Sequence, residues 1–158
     1  MKQKELSVWL RAVVIIGWCA CAMLAFFVGP WIARDLSLEP EFAYLAMPCL
    51  AVFWIGLAVA AIALWFAWRI FGEIGRDNSF CPENARRLRT ISRLALADTV
   101  LCLLSMGALM LLHAMHPGVF LLMLLIAAVG GGFTVAAAAL SHLTSKASAL
   151  QDENDLTI

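Results

Sequence analysis

Four apolar runs, at residues 12–33, 44–70, 94–113 and 118–143, take up most of this 158-residue chain, and charged side chains almost wholly avoid them. Each run is long enough to cross a bilayer, which needs about 20 residues of helix. A chain built this way has few folds open to it. In lipid every backbone N–H and C=O must find a partner inside the protein, and a helix satisfies its own. The pattern predicts an all-α integral membrane four-helix bundle, with one domain over residues 1–158 and a tail at 144–158. Hydrophobic residues make up 63% of the chain and charged residues 14%, against about 45–50% and about 25% in soluble domains. A soluble fold of this size could not hide that much apolar surface.

Lys and Arg favour the cytoplasmic side of a membrane. Of the 11 Lys and Arg residues, all but Arg34 fall in the N-terminal stub, at the end of the second run (Arg69) or in the break that follows it, or in the tail. Both termini and the middle loop are therefore expected in the cytoplasm. The first run is about as long as a full span, and Gly29-Pro30-Trp31 follows it where a signal peptide would carry small residues for cleavage. It is read as a retained span. Trp9, Trp31, Tyr44, Trp65 and Trp68 lie near run ends, as interfacial anchors do. Trp18 and Trp54 lie deeper and are expected to pack between helices.

Small residues recur four apart in the runs, at Gly17, Cys21, Ala25 and Gly29, at Gly56 and Ala60, and at Ala128, Gly132 and Ala136. Such spacing lets helices approach closely in lipid. The triplet Gly130-Gly131-Gly132 has two readings, close packing with a soft bend or a functional hinge. After the second run, Gly72 and Gly75 end a helix, and Pro82 and Glu83 suit the start of the next. A third helix from Pro82 to His113 would be about 48 Å long, with its first three turns extended into the cytoplasm. There Arg86, Arg89 and Arg93 share one face, and Leu88, Ile91 and Ala95 another. That basic face suits either anchoring against anionic head groups or docking of a cytosolic partner.

Asp98 is the one carboxylate inside a run, and such residues usually face a neighbouring helix or water. Arg11, Arg69 and His142 are its candidate partners. An interhelical hydrogen bond, snorkelling to the interface and an ion or proton site all remain open for it. Cys19, Cys21, Cys49, Cys81 and Cys102 have neither the Cys-x-x-Cys spacing nor the outer-loop placement that disulfide-forming membrane enzymes need, and read as small hydrophobes. His113 and His116 flank the last break with no carboxylate or thiol pair beside them, so no metal site is expected. No phosphate loop, nucleophile elbow or metalloprotease motif occurs. No cofactor and no enzymatic activity are expected.

The segment Gly75-Arg-Asp-Asn-Ser-Phe80-Cys-Pro-Glu-Asn84-Ala-Arg-Arg-Leu88-Arg-Thr-Ile91 and the tail Leu150-Gln-Asp-Glu-Asn-Asp-Leu-Thr-Ile158 resemble the loop and C-terminal patterns of a bacterial four-span family, domain of unknown function 2975. Cys81 stands where Ser or Thr would be the usual helix cap, which points to weaker capping. The resemblance implies the bacterial cytoplasmic (inner) membrane and, since members look like companions of small Cro/CI-type helix-turn-helix proteins, a membrane partner of a cytosolic regulator. On that expectation Asp152, Glu153, Asn154, Asp155, Leu156, Thr157 and Ile158 bind the partner, helped by Arg86, Arg87 and Arg89, and the chain itself does not touch nucleic acid. An acidic patch before an apolar tip also suits an extended peptide ligand. Two other functions remain open: a small transporter or channel using Asp98, and a structural subunit of a membrane complex.

Overall fold

The computed structural model describes residues 3–76 and 81–155. Among them the fold is all-helical. The first span joins α1 (Gln3–Met23) through a π-helical turn (Leu24–Val28) to α2 (Gly29–Leu38). A 3-10 turn (Ala43–Leu45) leads into α3 (Ala46–Ile74), followed by α4 (Pro82–Leu111) and α5 (Pro117–Asp155). Four helices, Lys4–Leu38, Ala43–Ile74, Pro82–Leu111 and Pro117–Leu150, are long and apolar enough to cross a membrane. At most 11% of the most apolar stretch in any of them is buried inside the protein. That surface needs lipid as its solvent, because water would penalise it.

Local chemistry explains the irregular points. In the π turn the Gly29 N–H bonds to the Leu24 carbonyl, five residues back. In the same register the next donor, toward Ala25, would be Pro30, which has no N–H. The indole Nε1 of Trp54 donates to that carbonyl instead, at 3.1 Å. Helix α4 starts on Cys81, whose backbone is extended and whose side chain makes no cap bond, so Pro82 at the first position and Glu83 in the first turn mark the start. Its other end closes with a Schellman arrangement: Ala114 N–H to Leu109 O at 3.0 Å and His113 N–H to Met110 O at 3.1 Å. This puts His113 in the left-handed region, with φ of 53°. His116 then caps α5, its Nδ1 accepting from the Gly118 N–H at 3.1 Å.

Helices adjacent in sequence pack side by side: the first span on α3, α3 on α4, and α4 on α5, the last being the most extensive. Among the described residues no backbone approach within 8 Å joins the first span to α4 or α5, or α3 to α5. The first seam is an antiparallel zipper. Ser7 donates to Phe71 O at 2.6 Å, Arg11 lies 4.8 Å over the Trp68 ring, Trp18 donates to Ala61 O at 3.2 Å, and Trp54 reaches back to Ala25 O. Trp18 also stacks on Trp65 and Trp68, with centroids 6.2 and 5.8 Å away. Trp18 thus packs between helices as its depth predicted, Trp54 bridges the seam while staying 49% exposed, and Trp68 is a packing residue as well as a residue near a span end. Gly17 sits against Leu64, and Gly29 against Phe53 and Leu50. The buried core, Ile70, Ile91 and Ala137, lies where α3, α4 and α5 meet, toward the arginine-rich end.

Candidate interaction surface at the arginine-rich end

The contacts between antiparallel helices gather the start of α1, the end of α3, the start of α4 and the later part of α5 at one end of the molecule. Two serine hydroxyls fix the α4–α5 register there. Ser141 donates to Ala85 O at 2.8 Å and Ser92 to Thr134 O at 2.9 Å. Both serines are buried, so these bonds are shielded from competition by solvent.

That register sorts the arginines of α4. Arg87 Nη1 donates to Asn84 Oδ1 at 3.0 Å, and Asn84 is 1% exposed. Arg87 is therefore held close to its own helix. Arg86 is exposed. Arg89, also exposed, lines a groove of about 380 Å³ with Ser92, Arg93, Ala138, Ser141 and His142. The expected partner-binding trio Arg86, Arg87 and Arg89 is thus divided into different environments. Arg93, which shares a face with Arg86 and Arg89 in the sequence, joins the groove, and so does His142, which the sequence offered only as a candidate partner of Asp98. The signal for them was the four-residue spacing of Arg89 and Arg93, together with the position of His142 at the matching end of the fourth run.

Helix α5 does not stop where α4 begins. Ser141 already meets Ala85, and the helix runs on to Asp155, roughly 15 Å past residue 145 at about 1.5 Å per residue. Ser148 is 5% exposed, so the helix stays packed at least that far. Asp152, Glu153, Asn154 and Asp155 are helical, which revises the extended-ligand reading for these four residues. Leu156, Thr157 and Ile158 lie outside the described residues.

Asp98 faces α3: its Oδ1 lies 3.0 Å from where a β-carbon on Gly56 would stand. Among the described residues no hydrogen bond or ion pair joins it to Arg11, Arg69 or His142. Arg11 is engaged elsewhere, over Trp68 and against Gly72, and its Nε is buried with no hydrogen-bond partner. The five cysteines are free thiols. Among the described residues no group of three His, Cys, Asp or Glu side chains could hold a metal ion. Another groove, about 590 Å³ between Met110, His113, Met115, Pro117, Phe120 and Leu121 at the opposite end, is mostly apolar in its side chains.

Residues 31–158 match the model of a family described as "Protein of unknown function (DUF2975)". The chain is also similar to the Uncharacterized membrane protein YoaS of Bacillus subtilis (strain 168), at 25% identity over 149 residues, covering 93% of each chain. No solved structure matches it.

Proposed function

The chain belongs to the DUF2975 family of multi-pass membrane proteins of unknown function, and from that premise we propose that it is a non-enzymatic regulatory protein of the bacterial cytoplasmic membrane that tethers a small, basic helix-turn-helix regulator. Both termini and the 76–93 segment face the cytosol in this reading, and the tail from Asp152 to Ile158 carries the partner, with Arg86 and Arg89 at the edge of the surface. Holding a DNA-binding regulator at the membrane lowers its concentration on DNA.

One observation carries the reading. After Lys146 the sequence holds Asp152, Glu153 and Asp155 and no basic residue. Like charges packed this closely along a chain repel one another, and opposite charges on a partner steer it to them. A basic partner docking there relieves the repulsion and gains new charge pairs. The tail is thus suited to be covered by cations. Asp98 supports transport less well, because no second titratable group joins it by a hydrogen bond or ion pair among the described residues.

The test is co-purification of the regulator from membranes carrying the full chain or a chain lacking residues 152–158. Recovery falling at least tenfold on truncation supports tethering. Equal recovery from both removes the tail from the mechanism.

A further inference from the structure

We propose that the groove between α4 and α5 is a phosphate site that seats the headgroup of an anionic phospholipid, with Arg89 and Arg93 as its principal ligands and His142 closing the far wall. This rests on the groove alone and does not depend on the tail having a partner.

The charge of the groove favours an anion. Arg89 and Arg93 are one helical turn apart and line the same concavity as His142 from the facing helix. No ion pair engages Arg89 or Arg93 among the described residues. Of the carboxylates on α4, Glu83 lies six residues before Arg89, and Asp98, five residues after Arg93, faces Gly56 on α3. Ser92 and Ser141 donate their hydroxyl protons to Thr134 and Ala85 carbonyls, so the cationic side chains dominate the donors. Guanidinium groups present forked N–H pairs that match phosphate oxygens.

The depth of the groove selects a lipid over a free phosphate. From 94 to 112 on α4, and from 118 to 141 on α5, Asp98 is the one acidic or basic residue. Arg93 and His142 therefore sit at the boundary where apolar helix gives way to charge, and headgroup phosphates occupy that layer. Below the arginines, the same face of α4 continues through Leu96, Val100 and Leu104, which are 52%, 45% and 68% exposed. On α5, Val135 lies two turns below His142 and is 69% exposed. This apolar track gives acyl chains a path directly under the phosphate. Ala138 keeps the groove floor open between the two helices.

The experiment is native mass spectrometry of the full chain released from detergent, with phosphatidylglycerol and phosphatidylcholine of identical chains as probes. The wild type is expected to retain phosphatidylglycerol preferentially. Arg89→Gln with Arg93→Gln should lower that preference about 30-fold, from two charges at about 1 kcal/mol each. Ala138→Leu, which fills the floor and leaves charge untouched, should lower it too. Arg69→Gln with Arg76→Gln removes equal charge from the same end but outside the groove, and should keep the preference. Soluble glycerophosphoglycerol and inorganic phosphate, each at millimolar concentration, should fail to displace the lipid. Displacement by either would overturn the lipid as the source. No preference in the wild type, or equal loss in the Arg69/Arg76 pair, would overturn the groove as a site.

Discussion

The indole N–H of Trp54 on α3 stands in for the backbone N–H that Pro30 lacks, bonding the Ala25 carbonyl at 3.1 Å across the first seam. A side chain on one span thus completes the helical bonding of another. Trp54→Phe leaves the Ala25 carbonyl without this donor inside lipid, and should destabilise the protein by about 1 kcal/mol. With Pro30→Ala the missing donor returns, and the same Trp54 substitution should cost about half as much or less. Thermal unfolding in detergent of the two single variants and the double variant measures this coupling. Strictly additive effects would mean that the indole bond and Pro30 are unrelated.

The three consecutive glycines of α5 should behave differently from one another. A β-carbon on Gly130 would lie 2.5 Å from Thr99 Oγ1, whereas nothing stands within 4 Å of one on Gly131 or Gly132. Thr99 Oγ1 is itself committed to the Ala95 carbonyl at 2.8 Å, so yielding to a methyl means breaking that bond. Gly130→Ala should destabilise by about 1–2 kcal/mol. Gly131→Ala and Gly132→Ala should instead stabilise by roughly 0.5–1 kcal/mol through helix propensity. Unfolding in detergent checks the ordering, and the reverse order would displace the α4–α5 register.

His113 occupies a backbone conformation that favours glycine, with φ of 53°. His113→Gly should keep the α4 cap and raise stability by up to about 1 kcal/mol. His113→Val, β-branched at positive φ, should lower stability by more than 1 kcal/mol. Melting temperatures of the two variants against the wild type give the answer, and equal values for both would contradict the left-handed turn.

Asp98 has no hydrogen bond or ion pair among the described residues, although it lies within a span. An unpaired carboxylate there is costly. Asp98→Asn should therefore raise the melting temperature in detergent and leave recovery of the proposed regulator unchanged. A clear loss of stability would reveal a partner that the carboxylate needs.

The spans were legible because lipid imposes one rule on every residue of a run, and 20 consecutive apolar residues satisfy it almost regardless of order. The start of α4 at Pro82 was legible for a similar reason, since Pro and Glu act on their own turn. What escaped were features set by a residue on another helix. Gly132 looked like a packing residue from its spacing with Ala128 and Ala136, yet it faces open space, and Gly130 makes the close approach to Thr99. Spacing alone does not say which stripe of an apolar helix faces protein and which faces lipid. The π turn depended jointly on Pro30 and Trp54, 24 positions apart. The groove needed the register that Ser92 and Ser141 impose before Arg93 and His142 could be seen together. Asp98 had three candidate partners in sequence, and the fold puts Gly56 against it instead.

The chain is proposed to cross the membrane four times, with its arginine-rich segment and its acidic tail on the cytosolic face. Reporter fusions at Ile158, within residues 79–93 and within residues 35–42 test it most directly. Cytosolic activity is expected for the first two and external activity for the third. Reporters at Ile158 and within 79–93 on opposite faces would contradict it.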